Sequence, residues 1–132
     1  MADTLSARLA EPRRFLQVVA GPRQVGKTTL VHQVVEASGL PVVFASADEP
    51  TLRGPAWITQ QWEAARLQVE PGGALLVIDE VQKAANWAES VKRLWDEDTR
   101  RRCPLKVVLL GSAPLLIQRG LSESLAGRFE IL

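Results

Sequence analysis

The sequence predicts an α/β fold, a three-layer α/β/α sandwich around a mostly parallel five-stranded sheet. Short apolar runs rich in β-branched residues alternate along the chain with longer segments whose apolar residues recur at helical spacing. The apolar runs show no regular polar alternation, which is typical of strands that are covered by helices on both faces. These two observations favour a parallel sheet between two helical layers.

Each element follows from a local pattern. Strands are expected at residues 15–20, 42–45, 74–78 and 107–110, and a fifth from residue 129 onward. Helices are expected at residues 27–38, with Gly39 as the C-terminal cap, and at residues 57–69. Residues 49–55 contain two prolines and a glycine and are therefore expected to form a loop. Residues 114–127 receive no assignment.

The helix that begins at Trp87 has the clearest start signal. Asn86 precedes it and Glu89 follows three residues later, which is the spacing of a capping box. The apolar residues of this helix recur at helical spacing, and so do those around the other tryptophans. We therefore interpret the four tryptophans as core or interface anchors rather than as a base-stacking platform: Trp57, Trp62, Trp87 and Trp95.

Composition favours one domain over residues 1–132. The 16 Lys and Arg residues nearly balance the 15 Asp and Glu residues, so the net charge of +1 supplies no global field for nucleic acid or anionic membrane. A single cysteine, Cys103, cannot form an internal disulfide, which suits a reducing compartment. The first residues lack the apolar run of a signal peptide, and no run reaches the ~18 residues that span a bilayer. We expect a cytoplasmic protein.

A glycine-rich motif joins the first strand to the first helix. Residues 21–28 read G-P-R-Q-V-G-K-T and satisfy the phosphate-loop pattern G-x-x-x-x-G-K-[ST]. The amides of such a loop and of the following helix donate to phosphate oxygens, the lysine adds positive charge, and the threonine hydroxyl is a ligand for Mg²⁺. The predicted nucleotide site consists of Gly21, Pro22, Arg23, Gln24, Val25, Gly26, Lys27, Thr28 and Thr29.

Polar residues also follow two later strands. Asp79 and Glu80 end a strand that we expect beside the strand before the glycine-rich loop. Asp79 is expected to hold Mg²⁺ together with Thr28, and Glu80 to orient the attacking water or accept its proton. Ser112 is expected to sense a γ-phosphate or the water, although a serine at this position is also a common turn former. Ligands of parallel sheets bind at the carboxyl ends of the strands, where these residues converge.

Two arginines are candidates for neutralising the charge on the transferred phosphoryl group, either in the same chain or in a neighbouring copy. Arg128 precedes the last strand, and Arg119 competes with it; an ordinary solvated arginine is an equal alternative for each. His32 and Cys103 have no partners at the spacing of a metal site, so neither is expected to bind metal. Cys103 is expected to pack rather than to react.

The motifs together resemble a known family. Residues 21–29, 75–83 (LLVIDEVQK), 111–116 (GSAPLL) and 124–130 (SLAGRFE) look like those of prokaryotic AAA-type P-loop ATPases. The resemblance implies a P-loop NTPase core with an added strand between the two Walker elements, ATP and Mg²⁺ as ligands, and Ser112 at the sensor position. It matches Arg128 to the arginine before the last strand. Members usually continue through a helical lid into a C-terminal domain, often nuclease-like in appearance, so this chain is expected to be a fragment or a truncated form without the lid.

Two functions follow from this pattern. The first is an ATPase that binds ATP with Mg²⁺ and hydrolyses it; the alternative is an ATP-binding switch or interaction module without turnover. A kinase is disfavoured because no arginine-bearing lid follows the third strand, and a GTPase because no Asn-Lys-x-Asp pattern occurs. The run Arg100, Arg101 and Arg102, with Lys106, is interpreted as a solvated helix end and gives only a weak indication of DNA binding. A DNA or protein partner and association of copies through an arginine stay open.

Overall fold

Five strands form one sheet in the computed structural model, which describes residues 2–21, 26–48 and 56–132. They are β1 (Leu16–Ala20), β2 (Val42–Ser46), β3 (Ala74–Asp79), β4 (Leu105–Gly111) and β5 (Phe129–Ile131). Their order across the sheet is β2-β3-β4-β1-β5, and each neighbouring pair of these strands is parallel. The predicted parallel sheet is confirmed, including the strand β2 between the two motifs.

Helices cover both faces of the sheet. One layer contains α1 (Ala2–Ala10) and α2 (Lys27–Ala37), and the other contains α3 (Trp57–Arg66), α4 (Trp87–Arg101) and α5 (Pro114–Ser124). The three-layer architecture is therefore confirmed. Within the described ranges, none of these helices has the length and apolar character needed to cross a bilayer. The loop expected at residues 49–55 lies outside the described residues.

Alternation along β3 shows why the strands carry uninterrupted apolar sequence. Leu75 and Val77 pack against the layer of α1 and α2, whereas Leu76 and Ile78 pack against the layer of α3, α4 and α5. All four side chains are fully buried. Since both faces need apolar side chains, the first polar residue of β3 is Asp79, at the edge of the sheet where the strand ends.

The strand order corrects one prediction about the site. β4 lies between β1 and β3, so the strand that ends at Asp79 is not the neighbour of the strand before the glycine-rich loop. The pairings of Ala20 with Gly111 and of Ile78 with Leu109 fix this arrangement. β4 has seven residues, nearly all of them buried. It lies in the centre of the sheet, so that β1 and β3 pair with its two edges while helices cover its two faces.

Helix ends show one confirmed prediction and one error. Gly39 has a φ of 74° and follows Ser38, the residue after the end of α2, as expected of a C-terminal glycine. The capping box before α4 is wrong: Asn86 has a φ of 53°, and within the described chain its side chain makes no cap hydrogen bond. A capping residue needs extended backbone to aim its side chain at the first amides. Glu89 instead accepts a 2.6 Å hydrogen bond from the Ser124 hydroxyl of α5.

The tryptophans are core residues, as predicted. The side chains of all four are at most 8% exposed. The indole nitrogen of Trp62 donates a 2.7 Å hydrogen bond to Asp98, and Arg66 donates a 2.8 Å hydrogen bond to the other oxygen of that carboxylate. Asp98 is 1% exposed, so this network joins α3 to α4 inside the protein. Arg13 lies over the ring of Trp95, 3.4 Å from its centroid.

Candidate functional site

The carboxyl ends of β1, β3 and β4 bring most of the predicted site residues to one edge of the sheet. Lys27 begins α2 just beyond β1, Asp79 ends β3, and Ser112 follows β4. The Gly21 amide donates a 3.1 Å hydrogen bond to the Gly111 carbonyl, so the pairing of β1 with β4 continues to the start of the glycine-rich loop. Four predicted site residues lie outside the described residues: Pro22, Arg23, Gln24 and Val25.

The start of α2 presents positive charge at this edge. Gly26 precedes the helix with a φ of 69°, a conformation that favours glycine, although a Cβ there would meet no described atom within 4 Å. The first-turn amides of a helix have no acceptor within it, and the helix dipole favours an anion at that end. The first turn reads Lys27, Thr28, Thr29 and Leu30 and thus carries no carboxylate. Lys27 is 4% exposed.

Asp79 is a carboxylate with an unsatisfied oxygen. Burial raises the pKa of Asp79, the charge of Glu80 raises it further, and the charge of Lys27 lowers it. Among the described residues, its Oδ1 atom is buried and has no hydrogen-bond partner. A bound cation satisfies such an oxygen, and Mg²⁺ typically takes only one or two protein ligands beside phosphate oxygens and water. The Asp79 carboxylate and the hydroxyl of Thr28 therefore suit that ion.

Glu80 is held in an unusual backbone conformation. Its φ is 53° and its side chain is 5% exposed, and such left-handed residues concentrate at functional sites. The Ser112 hydroxyl donates a 2.7 Å hydrogen bond to Glu80 Oε2. The Gln82 amide nitrogen donates to the same oxygen at 2.6 Å. The structure thus joins Ser112 to Glu80 and adds Gln82, which lies in the motif at residues 75–83 but was assigned no role from the sequence.

Gly111 makes room for Gln82. A Cβ at Gly111 would lie 2.7 Å from Gln82 Oε1 and 2.6 Å from Ile117 Cδ1. Gly111 ends β4, and its carbonyl accepts the Gly21 amide at 3.1 Å. The absence of a side chain at this residue lets the turn after β3 and the end of β4 come together around the Glu80 carboxylate.

The two candidate arginines lie in different places, and Arg128 is far from the site. Arg128 is at the amino end of β5, the opposite edge of the sheet, where its carbonyl accepts a 2.8 Å hydrogen bond from the Leu16 amide. Its guanidinium contacts Asp96, and this hydrogen bonding raises the pKa of Arg128. Arg119 is an exposed residue of α5 and lies 3.8 Å from the Glu123 carboxylate.

The remaining polar candidates make contacts within the fold, away from the carboxyl ends of the strands or beside the core. His32 stacks on Phe44 with ring centroids 3.8 Å apart. Cys103 packs beside the core, and burial raises the pKa of its thiol. Lys106 donates a 2.6 Å hydrogen bond to the carbonyl of Leu9 on the α1 face, so the predicted basic cluster does not include it. The described part of the chain contains no group of three or more His, Cys, Asp or Glu residues arranged for a metal ion.

The arginines of the basic cluster lie at the end of α4. Arg100, Arg101 and Arg102 are all exposed, and Arg102 follows the helix with a φ of 55°. Cations at a helix C-terminus are favoured by the helix dipole. The arrangement agrees with the prediction of a solvated helix end.

Comparison with known proteins agrees with this fold. Residues 13–132 match a family model described as an AAA domain. A variant of RuvB from Thermotoga maritima superposes with a TM-score of 0.63 at 21% identity, over 98% of this chain and 43% of that chain. The structure titled Thermotoga maritima RuvB Holliday junction branch migration motor gives a TM-score of 0.62 at 23% identity, over 98% of this chain and 40% of that chain.

These similarities concern the fold. The chain spans about two fifths of the length of those RuvB structures. It shares with them the P-loop NTPase core, a parallel five-stranded sheet between helices. A search of curated proteins gives no match.

Proposed function

Because the chain belongs to the AAA domain family, we propose that it binds ATP together with Mg²⁺ at the carboxyl edge of the sheet and hydrolyses the ATP. One observation supports this most directly. Asp79 places a buried oxygen without a described partner at the same edge as Lys27 and the N-terminus of α2. An acceptor for a metal ion and donors for phosphate therefore face one ligand position.

Binding rests on residues 21–29. The amides of this segment donate to the phosphate oxygens, and the ammonium of Lys27 neutralises the charge of the outer phosphates. Thr28 and Asp79 would hold Mg²⁺, and the ion would supply positive charge against the phosphates. Thr29 adds a hydroxyl on the first turn of α2.

Hydrolysis uses Glu80. Its carboxylate accepts a proton from water as the water oxygen bonds to the γ-phosphorus. The bond between that phosphorus and the oxygen that bridges it to the β-phosphorus breaks, so that ADP and phosphate leave. Ser112 donates to Glu80 and stands at the end of β4, close to where this water must lie.

Arg128 requires a second copy to take part. In its own chain it lies at the opposite edge of the sheet, so a role at the transferred phosphoryl group is proposed only in trans, from the amino edge of a neighbouring molecule. Such a head-to-tail contact joins two different surfaces, which is how heterologous assemblies form. We also propose a cytoplasmic location, since the single thiol of Cys103 suits a reducing compartment.

Calorimetry and phosphate release test this function together. Wild type is expected to bind ATP only with Mg²⁺, and Lys27→Met to lose about 100-fold or more in affinity because a buried charge partner is removed. Lys83→Met, which removes a lysine paired with Asp48, is the matched control and should bind normally. Glu80→Gln should keep its affinity while phosphate release falls by about 10²-fold or more.

The outcomes separate the alternatives. Equal phosphate release by wild type and Glu80→Gln would refute the ATPase and favour the alternative, a nucleotide-binding switch without turnover. Binding that ignores Mg²⁺, or that survives Lys27→Met unchanged, would refute the nucleotide site itself.

A further inference from the structure

Two donors converge on one oxygen of Glu80. Gln82 Nε2 lies 2.6 Å from Oε2, and Ser112 Oγ lies 2.7 Å from the same atom. The donors come from different segments, because Gln82 belongs to the 3-10 turn Val81–Lys83 after β3 and Ser112 follows β4. Hydrogen bonds from two directions fix both the position of the carboxylate and the rotation of its plane.

We propose that Gln82 is a positioning residue for Glu80, an inference that rests on the hydrolytic function proposed above. By holding Oε2 together with Ser112, Gln82 turns Oε1 toward the attacking water. Glu80 needs such support because its backbone leaves β3 in the left-handed region, with a φ of 53°, so the regular geometry of the strand does not set the direction of its side chain.

The unsatisfied half of the Gln82 amide argues against a packing role. Among the described residues, Gln82 Oε1 is buried without a hydrogen-bond partner. A buried acceptor without a partner lowers stability, and an apolar side chain of the same shape avoids that loss. Packing alone therefore gives no reason for the Oε1 atom at this position. The advantage of glutamine lies in its amide nitrogen, and that nitrogen contacts Glu80.

The end of β4 leaves space for the Gln82 side chain. Gly111 has no side chain at the point where a Cβ would come within 2.7 Å of Gln82 Oε1. The same glycine directly precedes Ser112, the second donor. One short segment at the end of β4 therefore supplies a donor to Glu80 and leaves space for the other donor.

The test compares Gln82→Met with wild type. Methionine keeps the shape and removes the donor, so kcat for phosphate release should fall by about 10²-fold, the loss that follows when a reacting group is misplaced by about 1 Å. KM for ATP and the affinity for MgATP should change less than about threefold, since Gln82 is not proposed to contact nucleotide. Thermal stability should change little, because the loss of a buried unsatisfied acceptor offsets the loss of the hydrogen bond to Glu80. Gln118→Met, an exposed glutamine on α5, is the matched control.

The double variant Glu80→Gln with Gln82→Met tests whether Gln82 acts through Glu80. In Glu80→Gln, the carboxylate that Gln82 positions is gone, so adding Gln82→Met should cause no further loss of kcat. A full additional loss in that background would overturn the proposal, as would an equal fall in MgATP affinity. A kcat for Gln82→Met within twofold of wild type would also overturn it.

Gln82→Glu provides an independent readout through pH. Two carboxylates at hydrogen-bond distance repel each other, so kcat should be low at neutral pH. When the introduced carboxyl is protonated it donates a hydrogen bond again, and kcat relative to wild type should therefore rise as pH falls. A ratio that is independent of pH would contradict the proposal. If Glu80→Gln itself releases phosphate like wild type, the hydrolytic function fails, which is a different result from a silent Gln82.

Discussion

Arg128 and Asp96 form a doubly hydrogen-bonded ion pair, with Nε 2.8 Å from Oδ1 and Nη2 3.0 Å from Oδ2. The pair lies at the amino edge of the sheet and ties the start of β5 to α4. Hydrogen bonding from Arg128 lowers the pKa of Asp96. In the isolated molecule, Asp96 holds the guanidinium of Arg128 in one direction. Arg128 must therefore leave Asp96 before it can contact a phosphoryl group bound to a neighbouring copy.

Arg128→Ala tests the role in trans. Both members of the pair are partly exposed, so the free energy of unfolding should fall by less than about 1 kcal/mol. Phosphate release should fall by about 10²-fold or more at protein concentrations where copies associate, while MgATP affinity stays unchanged. The measurement is release per molecule as a function of protein concentration.

Asp96→Asn is the control for that variant. It removes the ion pair and keeps the arginine, so phosphate release should match or exceed that of wild type. The lowered pKa of Asp96 means that its contribution to stability is present above the ordinary carboxyl pKa and is lost as pH falls. The stability difference from wild type should therefore vanish in acid. Equal loss of release in both variants would refute a specific role for the guanidinium.

Asp79→Asn should stabilise the free protein and abolish its Mg²⁺-dependent binding of ATP. The pKa of Asp79 is raised in the folded chain, so its contribution to stability falls as pH rises from the ordinary carboxyl pKa through the raised one. In the absence of Mg²⁺ and nucleotide, the free energy of unfolding of the variant should exceed that of wild type by about 1 kcal/mol at neutral pH. In acid, the two free energies of unfolding should be equal. Mg²⁺-dependent ATP binding should be lost. Urea unfolding at several pH values, with calorimetry, measures both.

Asp98 should be the most sensitive carboxylate for folding. Asp98→Ala leaves the indole nitrogen of Trp62 and the guanidinium of Arg66 without their acceptor, so a loss of about 3–5 kcal/mol is expected. Glu97→Gln, which weakens a more exposed contact with the same arginine, should cost less than about 1 kcal/mol. Urea unfolding measures both, and similar losses would show that burial of the network is unimportant.

Gly120 should not tolerate a methyl group. A Cβ at Gly120 would run into the indole ring of Trp87, whose Cε2 atom would be 2.9 Å away. Gly120→Ala should therefore lower the free energy of unfolding by about 1–2 kcal/mol, even though alanine is the better helix former. Gly72→Ala, where the nearest atom is 3.6 Å away, should change it by less than about 0.5 kcal/mol. Thermal unfolding of the pair checks this prediction.

Local patterns were enough to predict the sheet and the edge at which Lys27, Asp79 and Ser112 lie. The strands could be predicted because burial on both faces requires uninterrupted apolar runs, as in β3, and the end of such a run at Asp79 marks the edge of the sheet. The glycine-rich pattern stays a prediction at Pro22, Arg23, Gln24 and Val25, which lie outside the described residues. The structure places Lys27, Asp79 and Ser112 at the carboxyl edge of the sheet, whereas Arg128 lies at the opposite edge.

Other features depend on contacts between distant segments. The central position of β4 and the docking of α1 through Leu5 and Leu9 follow from packing that no local pattern records. The capping box failed because Asn86 is left-handed and Glu89 is used by α5. The contact of Gln82 with Glu80 depends on the turn after β3 and on Gly111 at the end of β4.

The place of β4 between the two motif strands also separates the end of β1 from the end of β3. Neighbouring strands are ~4.8 Å apart, so the ends of β1 and β3 are roughly 10 Å from each other. A single phosphate group is too small to reach from one end to the other, whereas a row of phosphates with its metal extends that far. In the proposed site, the phosphates and the metal ion therefore lie across the end of β4, next to Ser112.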